Sequence, residues 1–168
     1  MTPPVADAAP AFGGAASADR PAPLVLHWVF GHLRKRGSFE DYLVAAGRMA
    51  RQQGLAMHIV ARSQIDTRVR ADLAVSGVTV ECVADDRLNA LSFFMATVRR
   101  LRPTLVHCHF GSPSTSMAFA AKALGVRRFV FTDHGSRTVL EAADAPRSAG
   151  DATRRLRRRL LASFIDLY

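Results

Sequence analysis

The chain has 168 residues, a formal net charge of +9 and 49% hydrophobic residues. That length suits one ordinary domain, and no apolar run approaches the roughly 18–20 residues of a membrane span. The excess of cations favours anionic partners such as nucleotide phosphates, acidic lipid or nucleic acid, without choosing among them.

Residues 1–22 are Pro, Ala, Gly and Ser with almost no large apolar side chains. They read as a disordered arm rather than a secretory signal, since a basic start and an apolar core segment are both lacking. Residues 23–168 are expected to fold as one unit. Leu24–Phe30 is a first strand, apolar on both faces and so suited to mid-sheet. The loop after it carries Arg34, Lys35 and Arg36 between glycines.

A helix is expected from about Phe39 to Gln53, with Phe39, Leu43, Ala46 and Ala50 at spacings of three and four. Ser38 can cap it, Asp41 stands where a capping box places an acid, and Gly54 ends it. Ala56–Ala61 is the second strand. A weak helix, Thr67–Ser76, leads through Gly77 to a third strand, Val78–Val83. One longer helix is expected from Asp85 or Asp86 to Leu101, striped by Leu88, Leu91, Phe94, Met95, Val98 and Leu101 and stopped by Pro103.

The run from Thr104 to Ser136 organises the rest. Thr-Leu-Val-His-Cys-His-Phe-Gly is a strand opening into a loop. Ser112, Pro113 and Gly125 mark the ends of a helix, and Phe129–Asp133 is a second strand ending in His134-Gly135-Ser136. Strand, helix, strand makes a βαβ unit with parallel strands, so both histidine ends emerge on one side, where ligands bind in open parallel sheets. A last helix, Asp151–Phe164, carries five arginines between Arg154 and Arg159, and Ile165–Tyr168 resembles the start of another strand. Strands alternating with helices indicate an α/β, Rossmann-like doubly wound parallel sheet. The expected strand order is 3-2-1-4-5, with the ends at Phe30, His109 and Asp133 on one rim.

Cys82 and Cys108 sit in strand-like runs and read as two buried thiols rather than a disulfide. His107 and His109 share one strand face and Cys108 the other. With His134 or Asp133 the two histidines could hold zinc, yet no further Cys/His pair supports a site, and no metal is expected. Gly-x-Ser-x-Gly, Gly-x-Gly-x-x-Gly and Gly-Lys-Ser/Thr are all lacking, which argues against hydrolase, ordinary dinucleotide and P-loop chemistry. The helix starts at Ser38 and Ser112 offer free amides to an anion. No reader motif or exposed aromatic set points to nucleic acid.

Gly37-Ser38-Phe39-Glu40, Leu105-Val-His-Cys-His-Phe-Gly111 and Phe129-Val-Phe-Thr-Asp-His-Gly135 occur in the order seen in the amino-terminal domain of family 4 glycosyltransferases, which residues 24–168 resemble. The resemblance implies one half of a GT-B architecture, the acceptor-side half. It implies transfer of a sugar from a nucleotide-sugar to a cell-surface glycan or lipid-linked acceptor, with retention and without a cofactor or required metal. It implies that Gly37 and Ser38 approach the donor diphosphate, with serine where a second glycine is usual. His134 would lie beside the transferred sugar as the catalytic residue, while His109, Phe110, Gly111, Ser112 and Gly135 line the acceptor cleft.

The family's second domain carries two glutamates separated by seven residues. Glu40, Glu81 and Glu141 are followed eight positions later by Arg48, Asn89 and Ala149. A carboxyl-terminal donor-binding domain is therefore expected to be absent or separately encoded, and the chain inactive alone. The competing expectation is a non-enzymatic binding domain docking on a partner protein or an anionic surface. Location would be cytoplasmic, with Arg154–Arg159 able to meet the inner face of a membrane.

Overall fold

The computed structural model describes residues 22–62, 64–110, 115–132 and 134. The arm up to residue 21, the Ser112–Pro113 helix start, Asp133, the arginine-rich helix and the run Ile165–Tyr168 lie outside the described residues.

The elements are β1 (Leu24–Val29), α1 (Ser38–Gln52), β2 (Ala56–Arg62), α2 (Thr67–Val75), β3 (Val78–Val83), α3 (Asp85–Asn89), α4 (Leu91–Leu101), β4 (Leu105–His109), α5 (Thr115–Ala123) and β5 (Arg128–Thr132). The five strands form one sheet in the order β3-β2-β1-β4-β5, as expected, and all four pairings are parallel. Right-handed crossovers explain the layering. From β1 to β3 the chain steps one way along the sheet and lays α1 and α2 on one face. From β3 to β5 it steps back and lays α3, α4 and α5 on the other.

Each face has its own core. Leu43, Val44, Ile59, Val69 and Leu73 pack under α1 and α2. Leu26, Trp28, Phe94, Val106, Cys108 and Phe129 pack under α3–α5. Cys108 thus lies on the face opposite His109, as strand alternation requires. Cys82 departs from the expected pair of buried thiols: it is half-buried and accepts from Arg70 Nη2 at 2.9 Å.

The long helix expected from Asp85 to Leu101 is two helices. Ala90 breaks it with an extended ψ of 120°. One bond explains the break. The Trp28 indole donates to the Leu88 carbonyl at 3.2 Å, a carbonyl that a continuous helix would bond to the amide four residues on. Asn89 Nδ2 donates to the Asp85 carbonyl at 2.8 Å, within the last turn of α3. The ring of Trp28 meets Phe94 edge-on at 5.1 Å.

α1 turns its sequence stripe to the sheet, with Leu43 and Ala50 buried and Phe39 and Ala46 partly buried against the same core. Its buried residues are Glu40, Leu43, Val44, Gly47 and Ala50, while Tyr42 and Met49 remain exposed. Gly47 sets this orientation, because a Cβ there would overlap Val78 Cγ2 and stand 3.3 Å from Ser76 Cβ. Gly47→Ala is therefore expected to destabilise the fold. Overpacking costs ~1–3 kcal/mol against a helix-propensity gain of about 1 kcal/mol. A urea midpoint that stays put or rises would show that α1 can move off the sheet freely.

Candidate functional site

The carboxyl ends of the central strands meet at one rim. Phe30 N donates to the His109 carbonyl at 3.0 Å, and Phe110 N to the Thr132 carbonyl at 3.4 Å. The β1–β4 register sets His27 beside His107 and Val29 beside His109. Three imidazoles therefore project from two neighbouring strands onto the α1 face. Sequence reasoning picked out His107 and His109 and missed His27. The available signal was a histidine amid an apolar strand expected next to β4.

The histidines form a connected set. His27 Nδ1 lies 2.8 Å from His109 Nε2, and His109 Nδ1 lies 3.1 Å from His134 Nε2. The His27 and His109 rings stack, with centroids 5.1 Å apart and 4° between planes. His107 Nε2 meets Thr132 Oγ1 at 2.8 Å. His109 is fully enclosed and His27 only 4% exposed, whereas His134 is exposed. A line of imidazoles thus runs from the sheet interior to the rim.

Burial dominates their protonation. It lowers His27 to about 3, with the nearby His107 adding to the effect. It lowers His107 to about 4, helped by His134, and His109 to about 2, helped by His107, His27 and His134. All three are neutral at pH 7. A neutral imidazole has one N–H and one lone pair, so the line can carry hydrogen bonds in one direction at a time. For His134 to donate outward through Nδ1, its Nε2 must accept from His109 Nδ1–H, and His109 Nε2 from His27 Nδ1–H.

Aromatic rings hold the exposed end. Phe39, in the first turn of α1, meets Phe110 edge-on at 4.6 Å and His134 at 4.8 Å. The Phe110 ring lies 4.4 Å from that of His134. Phe110 achieves this with a left-handed φ of 57°, a conformation costing a non-glycine residue ~1–3 kcal/mol. Gly31 makes room, since a Cβ there would come within 2.6 Å of Phe110 Cδ2.

The start of α1 lies beside this cluster. Gly37, not Ser38, is the N-cap, in extended conformation and with no side-chain hydrogen bond to the helix amides. The expected capping box does not form because Asp41 turns to Arg36 Nε at 2.7 Å. Arg36 also holds Asp72 at 2.7 Å, so of the three loop cations it is committed to α1 and α2. Ser38 is exposed in the first turn. Gly111, Ser112 and Gly135 lie outside the described residues.

A cavity of about 330 Å³ lies away from the rim, between α1 and the sheet. Val25, His27, Tyr42, Ala46, Met49 and His107 are among its walls. Its walls are mostly apolar, and His27, His107, Tyr42 and Gln53 are the polar side chains among them.

The sequence model of Glycosyltransferase Family 4 matches residues 39–168, taking in α1, the His-Cys-His strand and the whole βαβ unit. The chain belongs to glycosyltransferase family 4. This family 4 chain matches no curated protein in sequence. Among solved structures it is similar to MurG of Acinetobacter baumannii, at 17% identity and a TM-score of 0.44, over 66% of this chain and 34% of that one. It is also similar to a UDP-N-acetylglucosamine 2-epimerase, at 13% identity and a TM-score of 0.46, over 88% of this chain and 40% of that one. It thus spans 34% to 40% of the length of these structures. At such similarity the Rossmann-like fold rests on the family 4 chain's own strand order. Among the described residues no helix is long and apolar enough to cross a membrane.

Proposed function

We propose that this family 4 chain is the acceptor-side half of a GT-B glycosyltransferase. It would act with a donor-binding domain to transfer a sugar, with retention, from a nucleotide-sugar to a glycan or lipid-linked acceptor of the cell surface. The observation that carries the reading is the exposed His134, held at the carboxyl rim by buried His109 and flanked by Phe39 and Phe110. Family membership supports the reaction class. The geometry supports the division of labour.

His134 donates to the departing diphosphate, where negative charge grows during transfer. His109 is enclosed, so it acts as a positioning residue, setting which nitrogen of His134 carries the proton. The α1 amides at Gly37 and Ser38 face the same rim and favour an anion through their free N–H groups and the helix dipole. Phe110 supplies an apolar wall for the acceptor beside His134. No step needs a metal.

The purified 168-residue chain is expected to give no detectable transfer with any nucleotide-sugar. Transfer should appear when it is joined to a donor-binding domain carrying a Glu-x7-Glu pair. Turnover by the chain alone would overturn the half-enzyme reading, and a joined protein that hydrolyses or transfers nothing with a panel of donors would overturn the transferase reading.

A further inference from the structure

The geometry points to a divalent transition-metal site, of the zinc class, formed by His27, His107 and His109 on the α1 face of the sheet. This inference does not depend on the transferase reading. Each of the three imidazoles offers one nitrogen, and these nitrogens all lie within 4.8 Å of one another. Two neighbouring parallel strands supply them: His27 and His107 are register partners, and His109 follows two residues later on the same face. Rigid strands hold such ligands better than loops do.

The donor set suits zinc or a similar ion, for which imidazole is a preferred ligand and three histidines plus one water a known catalytic arrangement. Bonds of ~2.0–2.1 Å at a tetrahedral centre would separate two ligand nitrogens by ~3.3 Å. The facing pair, His27 Nδ1 and His109 Nε2, stands at 2.8 Å and must open by about half an ångström. His107 has the room to close the remaining edge, being only half-buried. The fourth position has an outlet, because His27 and His107 both line the cavity beneath α1, which has ample space for a water.

Outer contacts fit as well. Metal-bound histidines commonly use their second nitrogen in a hydrogen bond that orients the ring. His109 already points Nδ1 at His134 Nε2, 3.1 Å away. With Nε2 on the metal, Nδ1 must carry the proton and donate to His134. Metal occupancy would thereby set the tautomer of the exposed histidine from inside the sheet.

The test uses the untagged chain, freed of metal by chelator and then titrated with Co²⁺ and Zn²⁺. One equivalent of Co²⁺ is expected to bind, with the intense visible bands of low-coordinate nitrogen ligation, and Zn²⁺ should displace it. His27→Gln or His107→Gln should weaken binding by ~100-fold or more, a larger loss than the ~10–100-fold typical of an outer-shell change. His32→Gln and His58→Gln, which alter histidines outside the cluster, should change nothing. Circular dichroism confirms that each variant is folded. Absence of one-equivalent binding by the unaltered chain overturns the site without recourse to any variant. Binding that survives His27→Gln overturns it equally.

Discussion

His134→Ala is expected to cut the transfer rate of the chain, joined to its donor-binding domain, by ~10²-fold or more while the melting temperature stays within a few degrees. Loss of one preorganised donor to a developing charge costs about that much, and the expected signature is a fall in kcat with KM little changed. Stability should hold because His134 is exposed and follows the last described strand, so its removal opens no cavity in either core. The pairs that surround it, Phe39 with Phe110 and His109 with His27, remain in contact without it. His134→Gln offers a discriminating companion, since an amide can donate but cannot relay a proton. Recovery of rate in that variant favours simple donation. Near-normal rates in the alanine variant, or equal losses of rate and stability, would make His134 a structural residue only.

The second large effect is on stability towards acid. The unfolded chain binds a proton at each histidine near pH 6.5, whereas burial holds His27 at about 3 and His109 at about 2 in the folded state. Below 6.5 the unfolded chain takes up protons that the folded chain refuses. The contribution of these groups is therefore complete above pH 6.5 and declines as pH falls towards their folded values. At pH 5 the loss is about 2 kcal/mol for each of the two as an upper bound. Together that is a large part of the 5–15 kcal/mol typical of a domain. His107, half-buried, adds a smaller share in the same direction. Thermal unfolding at pH 7, 6 and 5 should show a steepening fall in Tm, ~10 °C or more in total. A flat profile between pH 7 and 5 would mean that water or a counter-charge reaches the cluster.

Much of this was legible in the amino-acid order. Strand runs such as Val78–Val83 and Leu105–His109 are short, apolar and bounded by Gly or Pro, and they form where their pattern places them. Alternation with helices imposes parallel pairing, and handed crossovers then leave few sheet orders, of which β3-β2-β1-β4-β5 is the one adopted. His134 could be placed at the same rim as His109 for that reason, and the order of the glycine, histidine and His-Gly motifs carried the family.

Tertiary structure alone decided what depends on distant partners. The break at Ala90 follows from an indole on β1 reaching the Leu88 carbonyl, a contact that no local propensity encodes. The close seating of α1 follows from Gly47 meeting Val78 across the layer. Asp41 left its capping role because Arg36 folded onto it, a competition between charge pairing and a weaker backbone bond. His27 joined the histidine line only through the β1–β4 register. A one-residue slip would have sent its ring to the opposite face. Local order along the chain determines which segments become strands and helices, because that choice is made by near neighbours. Which side chains then touch is decided by register and layer packing, over separations such as the 82 residues between His27 and His109.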